Sequence, residues 1–220
     1  MECGEVLERL RSQANPANVA GMARYGINTK GTLGVPVKLL RGLAREIGKD
    51  HDLALELWAS GVHEARILAT LVDELERVTP GQMNRWARDF DSWDVCDQAC
   101  QNLFRYSPKA FAKAAEWSQA RGEFVRRAGF SLMAGLAVKA KTAPNGAFEA
   151  FLPLIVGAAG DSRNMVKKAA NWALRGIGKR NPRLRKLAIA TAEEIRAQGT
   201  PSARWIASDA LRELKRLQGQ

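Results

Sequence analysis

The sequence predicts an all-α fold: an α-solenoid superhelix of HEAT-like helical repeats, formed by residues 1–220 as a single domain. Three observations carry that expectation. Apolar residues recur at helical spacing almost throughout, and no stretch alternates convincingly as a strand. About thirteen such segments, roughly 8–20 residues long, are joined by short turns with no long linker. Pairs of them recur at roughly 35–40 residues, the spacing of stacked units that bury apolar stripes between layers. The repeat is structural rather than literal, because no consensus motif aligns across the units. An irregular helical bundle is the competing architecture, since periodicity fixes helices better than topology.

In chain order, Glu2–Gln13 and Pro16–Arg24 read as the first two helices, with Pro16 at an acceptable first-turn position. Tyr25 to Gly34 is rich in Gly, Asn and Thr and reads as a loop. Pro36–Ile47 and Asp52–Ala59 are amphipathic, and Val62–Arg77 follows with its own apolar face. Thr79-Pro80-Gly81 reads as a stop before Gln82–Phe90. Ser92–Phe104, Pro108–Trp117 and Glu123–Lys141 come next, then a turn at Pro144–Gly146 and a helix over Phe148–Gly157. Arg163–Gly178, Pro182–Gln198 and Ala203–Leu217 complete the chain, the last restarted by Thr200-Pro201-Ser202.

Composition limits the function classes. A chain of 220 residues, 46% hydrophobic and 26% charged, suits one globular domain or one continuous array. No apolar run reaches the roughly 18 residues that span a membrane, and the acidic start Met1-Glu2-Cys3-Gly4-Glu5 lacks a secretory pattern. Three cysteines, Cys3, Cys96 and Cys100, make reduced thiols in a bacterial-type cytoplasm the simplest account. Cys96 and Cys100 lie at i, i+4, but His51 and His63 stand in no ligand spacing, so no metal site or cofactor is expected. The same two histidines, with no nucleophile motif, argue against a triad hydrolase. Nothing demands more than a monomer or an obligate protein partner.

The net charge of +11 is unevenly placed. Residues 1–110 carry 14 Lys+Arg against 15 Asp+Glu, and residues 111–220 carry 20 against 8. From Arg163 to Lys186 there are nine basic residues and no acid. Such asymmetry points to a polyanion, most often nucleic acid, while a merely solvated basic surface is the plainer alternative.

The stretch Ser92–Phe104 is the candidate chemical centre. As a helix it opens on Ser92 at an N-cap position, with acids in its first turns where the helix dipole favours them. Trp93 and Asp97, four residues apart, share one face, and Val95, Ala99, Leu103 and Phe104 give an apolar stripe elsewhere. An aromatic face and a carboxylate together suit a positively charged or electron-poor ligand. The plainer reading is a core tryptophan beside an acid that stabilises the helix. Asp94 is offset from Asp97 by about 300°, which argues against a common target.

Downstream, Arg126 and Arg127 are adjacent, so at most one faces a given groove. Lys168, Trp172 and Arg175 lie at i, i+4, i+7 and form a basic–aromatic–basic stripe. Such a stripe suits nucleic acid, with charges on phosphates and the aromatic on a base or sugar. An ordinary core tryptophan with solvated neighbours remains the alternative.

Leu33-Gly34-Val35, Trp93-Asp-Val-Cys-Asp97, Phe124-Val-Arg-Arg127-Ala and Asn171-Trp172-Ala-Leu-Arg175, in that order, resemble the DNA alkylation repair enzymes of the AlkD-like family. The resemblance spans about Tyr25 to the last helix. It implies a HEAT-like solenoid that holds double-stranded DNA on its basic concave face. It also implies a monofunctional glycosylase that excises cationic N3- and N7-alkylpurines. By position, Trp93 and Trp172 look like the aromatic walls against the lesion and its deoxyribose, and Asp97 looks like the catalytic carboxylate. Arg127 looks like the arginine anchoring backbone phosphate, with Tyr25, Arg175 and Lys168 as further lesion or DNA contacts. Glycosylases in general flip the target base into a pocket; the resemblance implies contact with a lesion still stacked. Two other functions stay open: a non-catalytic binder of damaged or branched DNA, and a scaffold for acidic protein partners.

Overall fold

The computed structural model describes residues 1–217, in which fourteen α-helices and two short 3-10 turns are joined by loops, with no strand among the described residues. The Cα packing divides into two compact units, residues 1–107 and 108–217.

In the first unit, α1 (Cys3–Ser12), α2 (Pro16–Ala23), α3 (Val37–Ile47), α4 (His51–Ala59), α5 (His63–Val72), α6 (Pro80–Arg88) and α7 (Trp93–Asn102) surround a core that includes Leu10, Leu40, Leu57, Leu68 and Met83. Trp58 and Trp86 stack with ring centroids 4.0 Å apart, and Trp58 donates its indole N–H to Asp89 at 2.9 Å. The apolar stripe of α7 faces inward: Val95, Ala99, Leu103 and Phe104 are all buried, as are Cys96 and Cys100.

In the second unit, α8 (Ala110–Trp117), α9 (Glu123–Lys139), α10 (Asn145–Glu149), α11 (Leu152–Ala158), α12 (Asn164–Gly178), α13 (Pro182–Ala197) and α14 (Pro201–Arg216) pack around α9, which is buried from Arg127 to Ala137. Small residues set the helix spacing here. A Cβ on Gly129 would meet the Ser118 Cα at 2.7 Å, so α8 and α9 touch nearly backbone to backbone. Arg180 closes the end of α9 by donating to the carbonyls of Ala137 and Ala140, with its guanidinium 3.9 Å from the centroid of the Phe148 ring. Burial holds its pKa below the usual arginine value.

Four helix starts share one device. Asn15-Pro16, Thr79-Pro80, Asn181-Pro182 and Thr200-Pro201 each place a side-chain oxygen on N–H groups of the first turn and a proline just inside it. Thr79-Pro80-Gly81 is therefore a start rather than a stop, and α14 begins at Pro201, two residues before the sequence expectation.

The structure corrects two further boundaries. The helix expected over Val62–Arg77 ends at Val72, because Asp73 turns to an extended backbone. There its carboxylate accepts from His51 Nδ1 at 2.6 Å and Gln82 Nε2 at 2.6 Å. Burial raises the Asp73 pKa above the usual carboxylate value despite those bonds. The helix expected over Phe148–Gly157 is broken into α10 and α11, with Pro153 in the first turn of the second piece.

Candidate functional site

Trp93 and Asp97, one turn apart on α7, line an open cavity of about 640 Å³ in the first unit. The far wall comes from α2 and the loop after it: Gly21, Met22, Tyr25 and Ile27. The start of α3 adds Pro36 and Val37. Three sequence-predicted residues, Tyr25, Trp93 and Asp97, thus meet around one space. Trp93 and Asp97 are half-buried, whereas Tyr25 is 75% exposed. A cavity of this size, mostly apolar with a carboxylate and an aromatic at its edge, is of ligand-binding dimensions.

Three features hold the walls in place. The Trp93 indole N–H donates to the Tyr25 carbonyl at 3.0 Å, which ties the loop to the first turn of α7. Asn28 adds two ties, donating from Nδ2 to Asp91 at 2.8 Å and from its backbone N–H to Ser92 Oγ at 3.3 Å. Glu64, only 1% exposed, accepts backbone N–H bonds from Leu33 at 2.9 Å, Gly34 at 2.6 Å and Val35 at 3.2 Å. Gly34 has φ +80°, and a Cβ there would run into the Asn15 carbonyl. The Leu33-Gly34-Val35 motif is therefore the seat of a buried carboxylate, and only glycine fits its centre.

Ser92 occupies the N-cap position of α7, but its hydroxyl does not cap the helix. It donates instead to Asp94 at 2.6 Å. Asp94 also accepts from His63 Nε2 at 2.8 Å. Burial pulls the His63 pKa down, but the hydrogen bond and charge of Asp94 outweigh it and leave it raised. Burial likewise opposes ionisation of Asp94, and His63 and Ser92 more than compensate, leaving its pKa lowered. Asp94 also lines the cavity beside Asp97, because a 300° step leaves two side chains only about 60° apart. The offset therefore does not separate them as the sequence reading expects; what sets Asp94 apart is that His63 and Ser92 engage its carboxylate. Glu64, Asn28 and His63 were not found from the sequence, where nothing marks a polar residue whose partner lies some thirty or sixty positions away.

The second unit carries the other candidates. Arg127 is 6% exposed and donates from Nη1 to the Met165 carbonyl at 2.8 Å. Its neighbour Arg126 points elsewhere, to Asp161 at 3.0 Å, as the 100° step between adjacent residues requires. On α12, Lys168 is exposed and Trp172 half-buried. Arg175 is turned onto α14, with Nη1 2.6 Å from Glu213 and Nε 3.5 Å from Asp209. Lys179 shares the Glu213 carboxylate, whose pKa stays lowered against the cost of its burial.

Residues 6–214 match the family described as DNA alkylation repair enzyme. No curated protein matches the chain. Among solved structures, one described as "a new family of proteins related to the HEAT-like repeat DNA glycosylases with affinity for branched DNA structures" is 19% identical. It superposes with a TM-score of 0.79, covering 88% of this chain and 83% of that one. An engineered protein (14% identity, 85% of this chain and 92% of that one, TM-score 0.43) and a designed armadillo repeat protein (15%, 80% and 91%, 0.38) are more distant. The first of these likenesses shows a HEAT-like repeat fold, and the match over 6–214 shows that the chain belongs to the DNA alkylation repair enzyme family.

Proposed function

We propose that the protein is a monofunctional DNA glycosylase that removes cationic N3- and N7-alkylpurines from duplex DNA. The observation that carries this reading is the pairing of the Trp93 ring with the Asp97 carboxylate at the edge of one open cavity. Alkylation at N3 or N7 makes the purine cationic and weakens its glycosidic bond. Heterolysis then sends the bonding pair to the departing neutral base and leaves an oxocarbenium-like sugar. Asp97 would stabilise that cation and take the proton of the attacking water, whose oxygen forms the new bond to C1′. The face of Trp93 would add about 0.5–2 kcal/mol of cation–π stabilisation. Trp172, Arg127, Lys168 and Arg175 would serve as lesion and DNA contacts on the second unit. For Arg175 that role requires it to leave or share Glu213 and Asp209, and for Arg127, 6% exposed and donating to the Met165 carbonyl, it requires the guanidinium to turn outward.

A water nucleophile predicts base release without strand cleavage. Incubation with methylated duplex should free 3-methyladenine and 7-methylguanine and leave an intact abasic strand until alkali is added. Cleavage without alkali, together with a borohydride-trapped adduct, would replace this reading with an amine-nucleophile lyase. The solved relative described as having affinity for branched DNA favours a second reading, a binder without base release. Duplex or branched DNA bound with no base freed would favour that one.

A further inference from the structure

The chain has six tryptophans. Trp58, Trp86 and Trp117 are core residues, and Trp93 and Trp172 are half-buried. Trp205, on α14, is 41% exposed and has no part in the proposed chemistry. A partly exposed indole presents a flat π-face to solvent, so its neighbours decide what it can hold. Lys167 of α12 places its ammonium 5.0 Å from the centroid of the Trp205 ring. Lys168, Arg204 and Arg212 are exposed nearby on the same two helices, with Arg212 two turns along the face of α14 that carries Trp205. The acids along that side of α14 are engaged, Asp209 by Asn171, Arg175 and Arg212, and Glu213 by Arg175 and Lys179.

We infer that Trp205, steadied by Lys167, is a stacking platform for an unpaired DNA base, with Lys167 and Arg212, which share the face of Trp205, meeting the flanking phosphates. Two physical points favour this ligand. A ring already held by a cation loses little freedom when a base stacks on it. Cations around an aromatic also match a polymer that alternates phosphates with flat π-faces, and stacking accepts any base. An apolar protein partner would find too much charge here, and duplex DNA keeps its base faces stacked everywhere but at its two ends. The inference rests on DNA as the partner but not on base release.

The test is titration of labelled oligonucleotides into the whole protein by fluorescence anisotropy, using an oligo-dT tract, an abasic tract of the same length and a blunt duplex. Trp205→Ala should weaken binding to oligo-dT by about 5- to 140-fold, the equivalent of about 1–3 kcal/mol for one stacked base. Binding to the abasic tract and to blunt duplex should stay within about twofold, and Trp205→Phe should recover most of the loss. Thermal melting of both variants guards against misfolding. The readout is binding alone and needs no base release, so a failure here is distinguishable from a failure of the glycosylase reading. An equal loss on the abasic tract, no loss on oligo-dT, or tighter binding to oligo-U than to oligo-dT would each overturn the proposal.

Discussion

Beneath the Trp93 wall, Asp94 and His63 form a nearly buried pair whose side chains are 15% and 3% exposed. Their titration sets a pH signature for folding. Asp94 has a folded pKa below its ordinary 3.8, so its contribution is complete above about 3.8 and fades as pH falls through the lowered value. His63 has a folded pKa above its ordinary 6.5, so its contribution is complete below about 6.5 and fades as pH rises through the raised value. Asp94→Ala should therefore cost about 1.5–3 kcal/mol between pH 4 and 6.5, and less on either side. Urea melts across pH would check this, and a pH-independent loss would mean the pair is not ionised. Helical spacing puts Trp93 and Asp97 on one face and the family resemblance points to Tyr25, and these three line one cavity. His63, Glu64 and Asn28 were not legible in the sequence, because their roles are tertiary: each is defined by a partner far along the chain.

The helices themselves were largely legible because apolar periodicity and Asx/Thr-Pro starts are local. What was missed has local structure overruled by distant partners, as where Asp73 ends α5 to reach His51 and Gln82. Phe148–Gly157 was misread for a different reason, since a first-turn proline can open a new helix as readily as interrupt one. Helix spacing was equally hidden, since an isolated glycine in a helical pattern does not reveal which backbone it touches. At Gly129 that backbone is α8, where an added Cβ would lie 2.7 Å from Ser118 Cα and 2.8 Å from the Trp117 carbonyl carbon. Gly129→Ala, normally helix-stabilising, should instead cost about 1–3 kcal/mol by prising α9 from α8. A melting temperature equal to or above wild type would show that the contact yields cheaply.

Across the whole molecule, charge was the clearest functional signal, and counting overstated it. Of the basic residues clustered in the second half, Arg126 and Arg163 are held by Asp161, whose pKa they lower, and Arg175 and Lys179 are held by Glu213. A count cannot separate engaged cations from available ones such as exposed Lys168. DNA binding should nevertheless fall steeply with salt, by about 0.9 log–log units per phosphate neutralised. Lys168→Ala should flatten that slope by about one unit and weaken binding alike across sequences. An unchanged slope would remove Lys168 from the interface.

In the proposed reaction everything turns on the Asp97 carboxylate assisting base release. Its most direct test is the single-turnover release of 7-methylguanine and 3-methyladenine from methylated duplex, wild type beside Asp97→Asn, with DNA affinity measured in parallel. Wild type should release both bases, and the variant should lose about 10²-fold or more of that rate while its affinity stays within a few-fold. Equal release by the two proteins would contradict that role, and so would wild type that binds duplex yet frees neither base.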